Sequence, residues 1–204
     1  MLDNRTFITI RKHVAQSKLR FGIPGDIRVV IQSKVDTIRN YAEQSGIQYF
    51  IETGTYLGGT TEAAHDLFTH THTIELDPYL YTLSKVYLQK YPNITCHQGD
   101  SAEILTSLLP TIKGPILYWL DAHYSRGITE KGDDYTPVVR ELIGILNHPY
   151  RKESIILIDD ARCFIGKEDY PPLPFLETWI KERWKQSVFV VTDDIIRIYQ
   201  KELL

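Results

Sequence analysis

The sequence has little of several things that would narrow its function. Only two of its 204 residues are cysteines, and the formal net charge is −3. Without an excess of positive charge, neither nucleic acid nor an anionic membrane is expected as a partner. Cys96 and Cys163 lie far apart in the sequence and lack metal-ligand spacing. We therefore expect two free thiols in a reducing compartment.

Long apolar runs are also missing. No run reaches the roughly 18 residues of a membrane helix, and the first residues carry no apolar core of signal-peptide length. The sequence therefore predicts a cytoplasmic protein. Its composition, 43% apolar and 24% charged, is ordinary for a globular chain. Its length is sufficient for one domain with a full core.

What is present is a regular alternation of strand-like and helix-like segments. Residues 1–28 are mildly basic and are predicted to be an N-terminal cap segment, whereas 29–204 form a single domain. Five alternating β/α units after residue 47 predict a parallel sheet with helices on both faces. The last two strand-like runs, 187–192 and 195–201, have only two residues between them. This spacing predicts a terminal hairpin.

Three carboxylates follow two of the short apolar runs. Asp121 ends the run 116–120, and Asp159 and Asp160 end the run 154–158. This pattern is typical of buried parallel strands, and open α/β sheets bind ligands at the carboxyl ends of such strands. Three converging carboxylates would suit a hard divalent cation. The alternatives are that Asp121 caps a helix or binds a cofactor amine, and that the other two acids cap a loop.

A turn containing glycines follows the first strand. Glycines permit a tight turn and a close approach of backbone to a ligand. The dinucleotide pattern G-x-G-x-x-G is not matched, because Tyr56 stands at the second glycine position. A nucleoside without phosphates is thus favoured over a pyrophosphate, and a merely structural turn is the alternative. The candidate cofactor contacts in this turn are Glu52, Gly54, Thr55, Tyr56, Gly58 and Thr60.

Acids also end the next two strands. Glu75 stands where an acid can accept hydrogen bonds from ribose hydroxyls, although it could also be a plain exposed strand end. Asp77, followed by proline, is suited to cap the next helix. Asp100 and Ser101 stand where a further helix begins. They are candidates both for capping and for contact with a bound base.

In this order, the motifs resemble those of class I S-adenosylmethionine-dependent methyltransferases. More narrowly, they are similar to metal-dependent O-methyltransferases of the catechol and macrocin-type sugar families. The resemblance covers about 48–201. It implies an α/β, doubly wound, Rossmann-like sheet of seven strands in the order 3-2-1-4-5-7-6, with the last strand antiparallel. The terminal hairpin favours the same variant of the doubly wound sheet over a dinucleotide-binding domain.

The resemblance also implies roles for individual residues. S-adenosylmethionine would lie with its methionine part beside Glu52 and Gly54, its ribose on Glu75, and its adenine near Ser101, with Asp100 beside it. Asp121 would face the cofactor as well. A tyrosine at the position of Tyr56 also occurs in the catechol enzyme.

The metal implied by the resemblance is Mg²⁺, and its ligands would be Asp121, Asp159 and Asp160. Such a metal would bind the acceptor hydroxyl and lower its pKa. The chain departs from the catechol enzyme in lacking a lysine three residues after Asp121. His123 is the nearest group that titrates near pH 7, which makes it a candidate general base. Alternatively, Asp121 serves as both ligand and base.

Two polar loops, 124–135 and 162–174, follow the acids and are predicted to contact the acceptor. They contain few aromatic residues, which favours a sugar or another small hydroxylated molecule over a flat catechol. The alternatives are a metal-independent methyltransferase of the same fold, a nicotinamide-dependent oxidoreductase, and a non-catalytic cofactor-binding subunit. A homodimer is also left open. The candidate acceptor contacts are Arg126, Lys131, Tyr135 and Arg162.

Overall fold

A computed structural model describes residues 27–121 and 136–204. Its strands, numbered β1 to β7 in chain order, are Tyr49–Thr53, His70–Glu75, Ile94–Gln98, Ile116–Leu120, Ile155–Ile158, Ser187–Thr192 and Ile195–Gln200. They form one seven-stranded sheet in the order β3-β2-β1-β4-β5-β7-β6. This is the order that the sequence predicts.

Strand direction also follows the prediction. The pairs β1–β2, β1–β4, β2–β3 and β4–β5 are parallel, whereas β7 is antiparallel to both β5 and β6. Asp193 and Asp194 join β6 to β7 with positive φ angles of 52° and 62°. Two successive positive φ angles are typical of the type I′ turn, whose twist matches that of a hairpin.

The helices of the described residues, numbered α1 to α6 in chain order, are Ile27–Ser45, Gly59–Ala64, Pro78–Leu88, Ser101–Leu108, Val138–Leu146 and Leu173–Arg183. The prediction of one helix over 59–69 is too long, because α2 gives way to a 3₁₀ turn at His65–Leu67. The side-chain amide of Asn93 donates to the carbonyls of His65 and Phe68 at 2.8 and 3.0 Å. These two carbonyls thus accept hydrogen bonds from Asn93, so the α-helix does not need to continue to supply their partners.

Apolar side chains pack on both faces of the sheet. Helices α4, α5 and α6 cover one face, with Leu105, Leu142 and Ile180 fully buried among residues of the central strands. Helix α1 covers the other face, where Ile38 packs into a cluster that includes Trp119 of β4. Cys96 and Cys163 are unpaired, as predicted. None of the described helices combines the length and the apolar character needed to cross a membrane.

Candidate active site at the carboxyl edge of the sheet

The alternation of side chains along β4 and β5 decides which of the predicted acids meet. Trp119 lies opposite Leu157 in the parallel ladder. Two residues further on, Asp121 and Asp159 point to the same face as these two side chains. The ladder still holds there, because the Asp121 N–H donates to Thr53 O and the Asp159 N–H donates to Leu120 O, both at 3.0 Å. The two carboxylates therefore lie side by side.

The ammonium of Lys34 lies between these two carboxylates. Its Nζ is 2.7 Å from Asp121 Oδ2 and also forms an ion pair with Asp159 Oδ2. The side chains of Lys34, Asp121 and Asp159 are only 22%, 17% and 8% exposed. The Lys34 ammonium also lies 5.7 Å from the centroid of the Trp119 ring. The two acids thus share one cation in a site that is largely shielded from water.

The charges of Lys34, Asp121 and Asp159 affect the pKa values of Lys34 and Asp159. Burial lowers the pKa of Lys34, but the charges of Asp121 and Asp159 outweigh burial and raise that pKa above its ordinary value. Burial and the neighbouring Asp121 charge raise the pKa of Asp159, while Lys34 opposes them. Lys34 therefore stays protonated at neutral pH and cannot serve as a general base.

Asp160 has a different ion-pair partner from the other two acids. It has a left-handed backbone with φ 57°, and its Oδ1 pairs with Arg162 Nη2 at 2.7 Å. Arg162, a predicted acceptor contact, also pairs with Asp194. The structure thus brings together two of the three predicted metal ligands. In residues 27–121 and 136–204, no group of three or more His, Cys, Asp or Glu side chains has the arrangement of a metal site.

Lys34 is a site residue that the sequence analysis missed. It lies four residues before Ile38 and on the same side of α1 as Tyr41 and Ala42, which are buried against the sheet. A lysine in the core-facing stripe of an amphipathic helix needs a buried partner. The position of Lys34 on the buried side of the helix indicates that it has a buried partner. It does not identify which acids that partner comprises.

The glycine turn after β1 has the backbone that its sequence predicts. Gly54 and Gly58 have φ angles of 86° and 79°, and the Gly58 N–H donates to Thr55 O at 2.8 Å. Tyr56, at the second glycine position, also has a positive φ of 51°. Its N–H donates to Glu75 Oε2 at 2.7 Å. The turn is therefore held closed by the acid that ends β2.

Glu52 lies beneath this turn in a buried polar cluster. Its Oε2 accepts hydrogen bonds from the hydroxyls of Thr61 and Thr73, and the Thr55 and Thr73 hydroxyl oxygens are 2.6 Å apart. Burial raises the pKa of Glu52 to about 7, although the Thr61 and Thr73 hydroxyls act to lower it. Glu52 is thus linked to the turn through Thr73 and Thr55, and Thr60 is half-buried in the next helix.

Glu75 is buried and held by backbone. Besides the Tyr56 N–H, it accepts the Asp77 N–H at 3.0 Å on Oε1. Burial raises the pKa of Glu75, and these two N–H groups act against that rise. Asp77 caps α3 by accepting the N–H groups of Tyr79 and Leu80 at 2.8 and 2.9 Å, as predicted. Each Glu75 oxygen retains a lone pair for a further donor.

Asp100 and Ser101 are joined to α5. Asp100 caps α4 and also binds Arg140, with its two oxygens 3.1 and 2.8 Å from the guanidinium nitrogens. Burial acts to raise the pKa of Asp100, but the Arg140 hydrogen bonds and the backbone N–H groups lower it. The Ser101 hydroxyl donates to Glu141 Oε1 at 2.5 Å. The structure confirms capping by Asp100, and contact with a bound base stays a prediction.

A narrow cleft adjoins the acid pair. It is lined by the acids Asp121, Asp159 and Glu141, by Thr136 and Tyr170, and by apolar side chains of β4, β5 and α5. The predicted base His123 and the predicted acceptor contacts Arg126, Lys131 and Tyr135 lie outside the described residues.

Comparison with known proteins identifies the fold of the chain. No protein-family model matches the chain, and no curated protein does so either. Solved structures do match. The S-adenosylhomocysteine-bound methyltransferase PaMTH1 of Podospora anserina has 16% sequence identity and a TM-score of 0.61, with 98% of this chain and 97% of that chain covered.

Two further structures agree. The O-methyltransferase TomG of Streptomyces achromogenes, solved with S-adenosylmethionine, is 14% identical with a TM-score of 0.61, covering 97% of this chain and 89% of its own. A putative caffeoyl-CoA O-methyltransferase of Staphylococcus aureus is 14% identical with a TM-score of 0.56, covering 97% and 100%. The fold is therefore that of the class I methyltransferases, as the sequence resemblance implies.

Proposed function

We propose that this protein is an S-adenosylmethionine-dependent O-methyltransferase that acts on a hydroxyl group of a small molecule or sugar. One observation carries the proposal. The glycine turn, Glu75, the Asp100–Ser101 pair and Asp121 follow four neighbouring parallel strands and therefore lie along a single edge of the sheet. This edge includes the point between β1 and β4 where the strand order reverses, which is where such sheets bind nucleoside ligands.

The chemistry of the edge favours a sulfonium cofactor over a dinucleotide. A pyrophosphate would need N–H groups of the turn, but the Tyr56 N–H is donated to the Glu75 carboxylate. Acids predominate here, with Glu52, Glu75 and Asp121 at the ends of three strands. Carboxylates repel a diphosphate but suit ribose hydroxyls and the positive charge of S-adenosylmethionine. We therefore rank a nicotinamide-dependent oxidoreductase below a methyltransferase.

The proposed reaction is an in-line displacement. S-adenosylmethionine supplies an electrophilic methyl group, so a C–O bond forms to the acceptor, the C–S bond breaks, and S-adenosylhomocysteine is the leaving group. The chain must orient the acceptor oxygen, exclude water and take up the hydroxyl proton. Asp121, at the edge, and His123 are the two residues that we propose for the proton. In a reaction of this kind, positioning can supply much of the rate.

Mg²⁺ assistance, which the sequence resemblance implies, does not suit the arrangement of the described acids. Asp121 and Asp159 offer the oxygen ligands that a hard cation prefers. However, the point that they share is taken by the Lys34 ammonium, and Asp160 is paired with Arg162. The described residues in this arrangement do not fit an additional divalent ion. We therefore route no step through a metal and favour the metal-independent form of the reaction.

Binding and transfer assays test the proposal. Calorimetry with S-adenosylmethionine, S-adenosylhomocysteine and NADH should show that the first two bind and the third does not. Transfer of a labelled methyl group should then be measured over panels of sugar and small phenolic acceptors, with and without EDTA. Binding of NADH alone would contradict the proposal. Cofactor binding without transfer to any hydroxyl would favour the non-catalytic alternative.

A further inference from the structure

We infer that Lys34 is the resident cation of the Asp121–Asp159 pair and that it keeps a divalent metal ion out of this site. The occupancy of the site by Lys34 does not depend on the proposed function. Only the consequence, methyl transfer without a metal ion, rests on that function. Lys34 comes from α1, whereas the two acids end β4 and β5. The first described helix thus provides a positive charge at the position where the resemblance would place Mg²⁺.

The geometry places one cation in ion-pair contact with both acids. The single Nζ atom forms ion pairs with Asp121 Oδ2 and Asp159 Oδ2. Two neighbouring carboxylates repel each other, and a cation between them relieves the repulsion. A lysine ammonium does this with directed N–H donors. The ammonium therefore already occupies the point that the two acids share, and its charge offsets part of theirs.

A divalent ion could use both acids only after the ammonium has left. Lys34 is anchored one turn before Ile38, which is fully buried in the cluster beneath α1. Its ammonium lies 5.7 Å from the centroid of the Trp119 ring, a distance at which a cation is attracted to an aromatic face. Displacement would break two ion pairs in a largely dry site and leave the ammonium without equivalent partners. Such a loss is unfavourable when the charges are shielded from water.

The position of Lys34 also differs from that of an ordinary surface ion pair. Lys181 and Glu177, for example, pair at i, i+4 on α6 with side chains that are 50% and 41% exposed, and pairs of that kind contribute little. Lys34 and Asp121 are 87 residues apart in the sequence and meet at the predicted reaction edge. A change at Lys34 should therefore alter ligand binding at the edge, whereas a change at Lys181 should not.

Metal titration of the full chain tests the inference directly. Free Mn²⁺ is followed by electron paramagnetic resonance while the ion is added to the wild type, Lys34→Gln, Lys34→Arg and the control Lys181→Gln. We expect Lys34→Gln to bind Mn²⁺ at least about tenfold more tightly than the wild type, because it removes the cation that the two carboxylates share. Lys34→Arg and Lys181→Gln should behave as the wild type does. Mg²⁺ should raise the melting temperature of Lys34→Gln alone.

Wild-type protein gives a second measurement that does not depend on the folding of a variant. In protein labelled with ¹⁵N-lysine, the Lys34 ammonium resonance, assigned by its loss in Lys34→Arg, should persist when Mg²⁺ is added. Its disappearance with Mg²⁺, or equal Mn²⁺ affinity of the wild type and Lys34→Gln, would overturn the inference.

The outcomes also separate this inference from the proposed function. If the wild type binds S-adenosylmethionine but transfers methyl groups only with Mg²⁺, the proposed function stands and Lys34 is not the resident cation. If the wild type binds no S-adenosylmethionine, the proposed function fails, and the Mn²⁺ titration still reports on Lys34. Transfer that persists in EDTA, together with a metal-binding Lys34→Gln variant, supports both.

Discussion

The Ser101 hydroxyl donates to the buried carboxylate of Glu141 across 2.5 Å, which ties the start of α4 to α5. The neighbouring ion pair of Asp100 with Arg140 connects the same two helices. The N-cap and the first residue of α4 therefore pair with two successive residues of α5. This connection holds the end of the β3 segment at the edge where we propose that the adenine part of the cofactor binds.

The burial of Glu141 predicts a pH-dependent stability. Burial raises the pKa of Glu141 to about 7 from 4.5, against the effect of the Ser101 and Thr53 hydroxyls. Between these two values the folded chain keeps a proton that the unfolded chain releases. Ionisation of Glu141 should therefore lower the free energy of unfolding as the pH rises from 4.5 to 7, by at most about 1.4 kcal/mol per pH unit.

The substitution Glu141→Gln should remove this contribution, because the amide does not titrate in that range and its oxygen can still accept from Ser101. Urea unfolding at several pH values from 5 to 8 measures the difference. The stability of the variant relative to the wild type should increase with pH. Glu103→Gln, which changes an exposed acid in α4, is the control. A difference independent of pH would show that Glu141 is ionised throughout.

Glu75→Gln should weaken S-adenosylmethionine binding by about tenfold or more, because a hydrogen bond to a charged group contributes about 1.5–3 kcal/mol. The variant retains an acceptor but places an amide nitrogen opposite one of the N–H groups of Tyr56 and Asp77. Calorimetry measures the affinity, and a melting curve shows whether the turn remains intact. Unchanged affinity in a folded variant would place the ribose elsewhere.

His123→Ala should slow methyl transfer if His123 takes the acceptor proton. The wild-type rate should then depend on a group with a pKa near that of histidine, about 6.5, and the variant should lose this dependence. The profile of kcat against pH provides the measurement, with S-adenosylmethionine affinity as the check that the cofactor site is unaffected. An identical pH profile and rate in the variant would leave Asp121 as the proposed base.

The strands could be predicted from sequence because each is a short apolar run that ends in turn residues or acids. Ile116–Leu120 and Ile94–Gln98 have the predicted bounds. Alternation along β4 and β5 also indicates that Asp121 and Asp159 share a face, whereas Asp160 follows on the other side. The convergence of all three acids on a metal stays a prediction; in the structure Asp160 has a left-handed backbone and pairs with Arg162.

The contacts that complete the site could not be predicted in the same way. Lys34 meets Asp121 from 87 residues away, and Ser101 meets Glu141 from 40 residues away. Local periodicity indicates which side of a helix is buried but not which strand end lies beneath it. The partner of a buried charge depends on how α1 and α5 pack on the sheet, and that arrangement appears only in three dimensions.

Gly58 should be harder to replace than Gly46, although both have positive φ angles, 79° and 65°. A Cβ at Gly58 would lie 3.0 Å from Leu88 Cδ1, whereas a Cβ at Gly46 would have no atom within 4 Å. Leu88 is fully buried, so it has little room to move. Gly46→Ala should cost about 1–2 kcal/mol from backbone strain alone, and Gly58→Ala about 1–3 kcal/mol more from the added contact.

Urea unfolding of the two variants at one pH gives this comparison. Calorimetry with S-adenosylmethionine adds a functional readout, because Gly58 lies in the proposed cofactor turn and is the N-cap of α2, whereas Gly46 follows the C-terminal end of α1. Gly58→Ala should therefore lower cofactor affinity and stability together, and Gly46→Ala should lower stability alone. Equal losses of stability in the two variants would mean that Leu88 moves aside, and that the turn tolerates a side chain where the structure leaves no space for one.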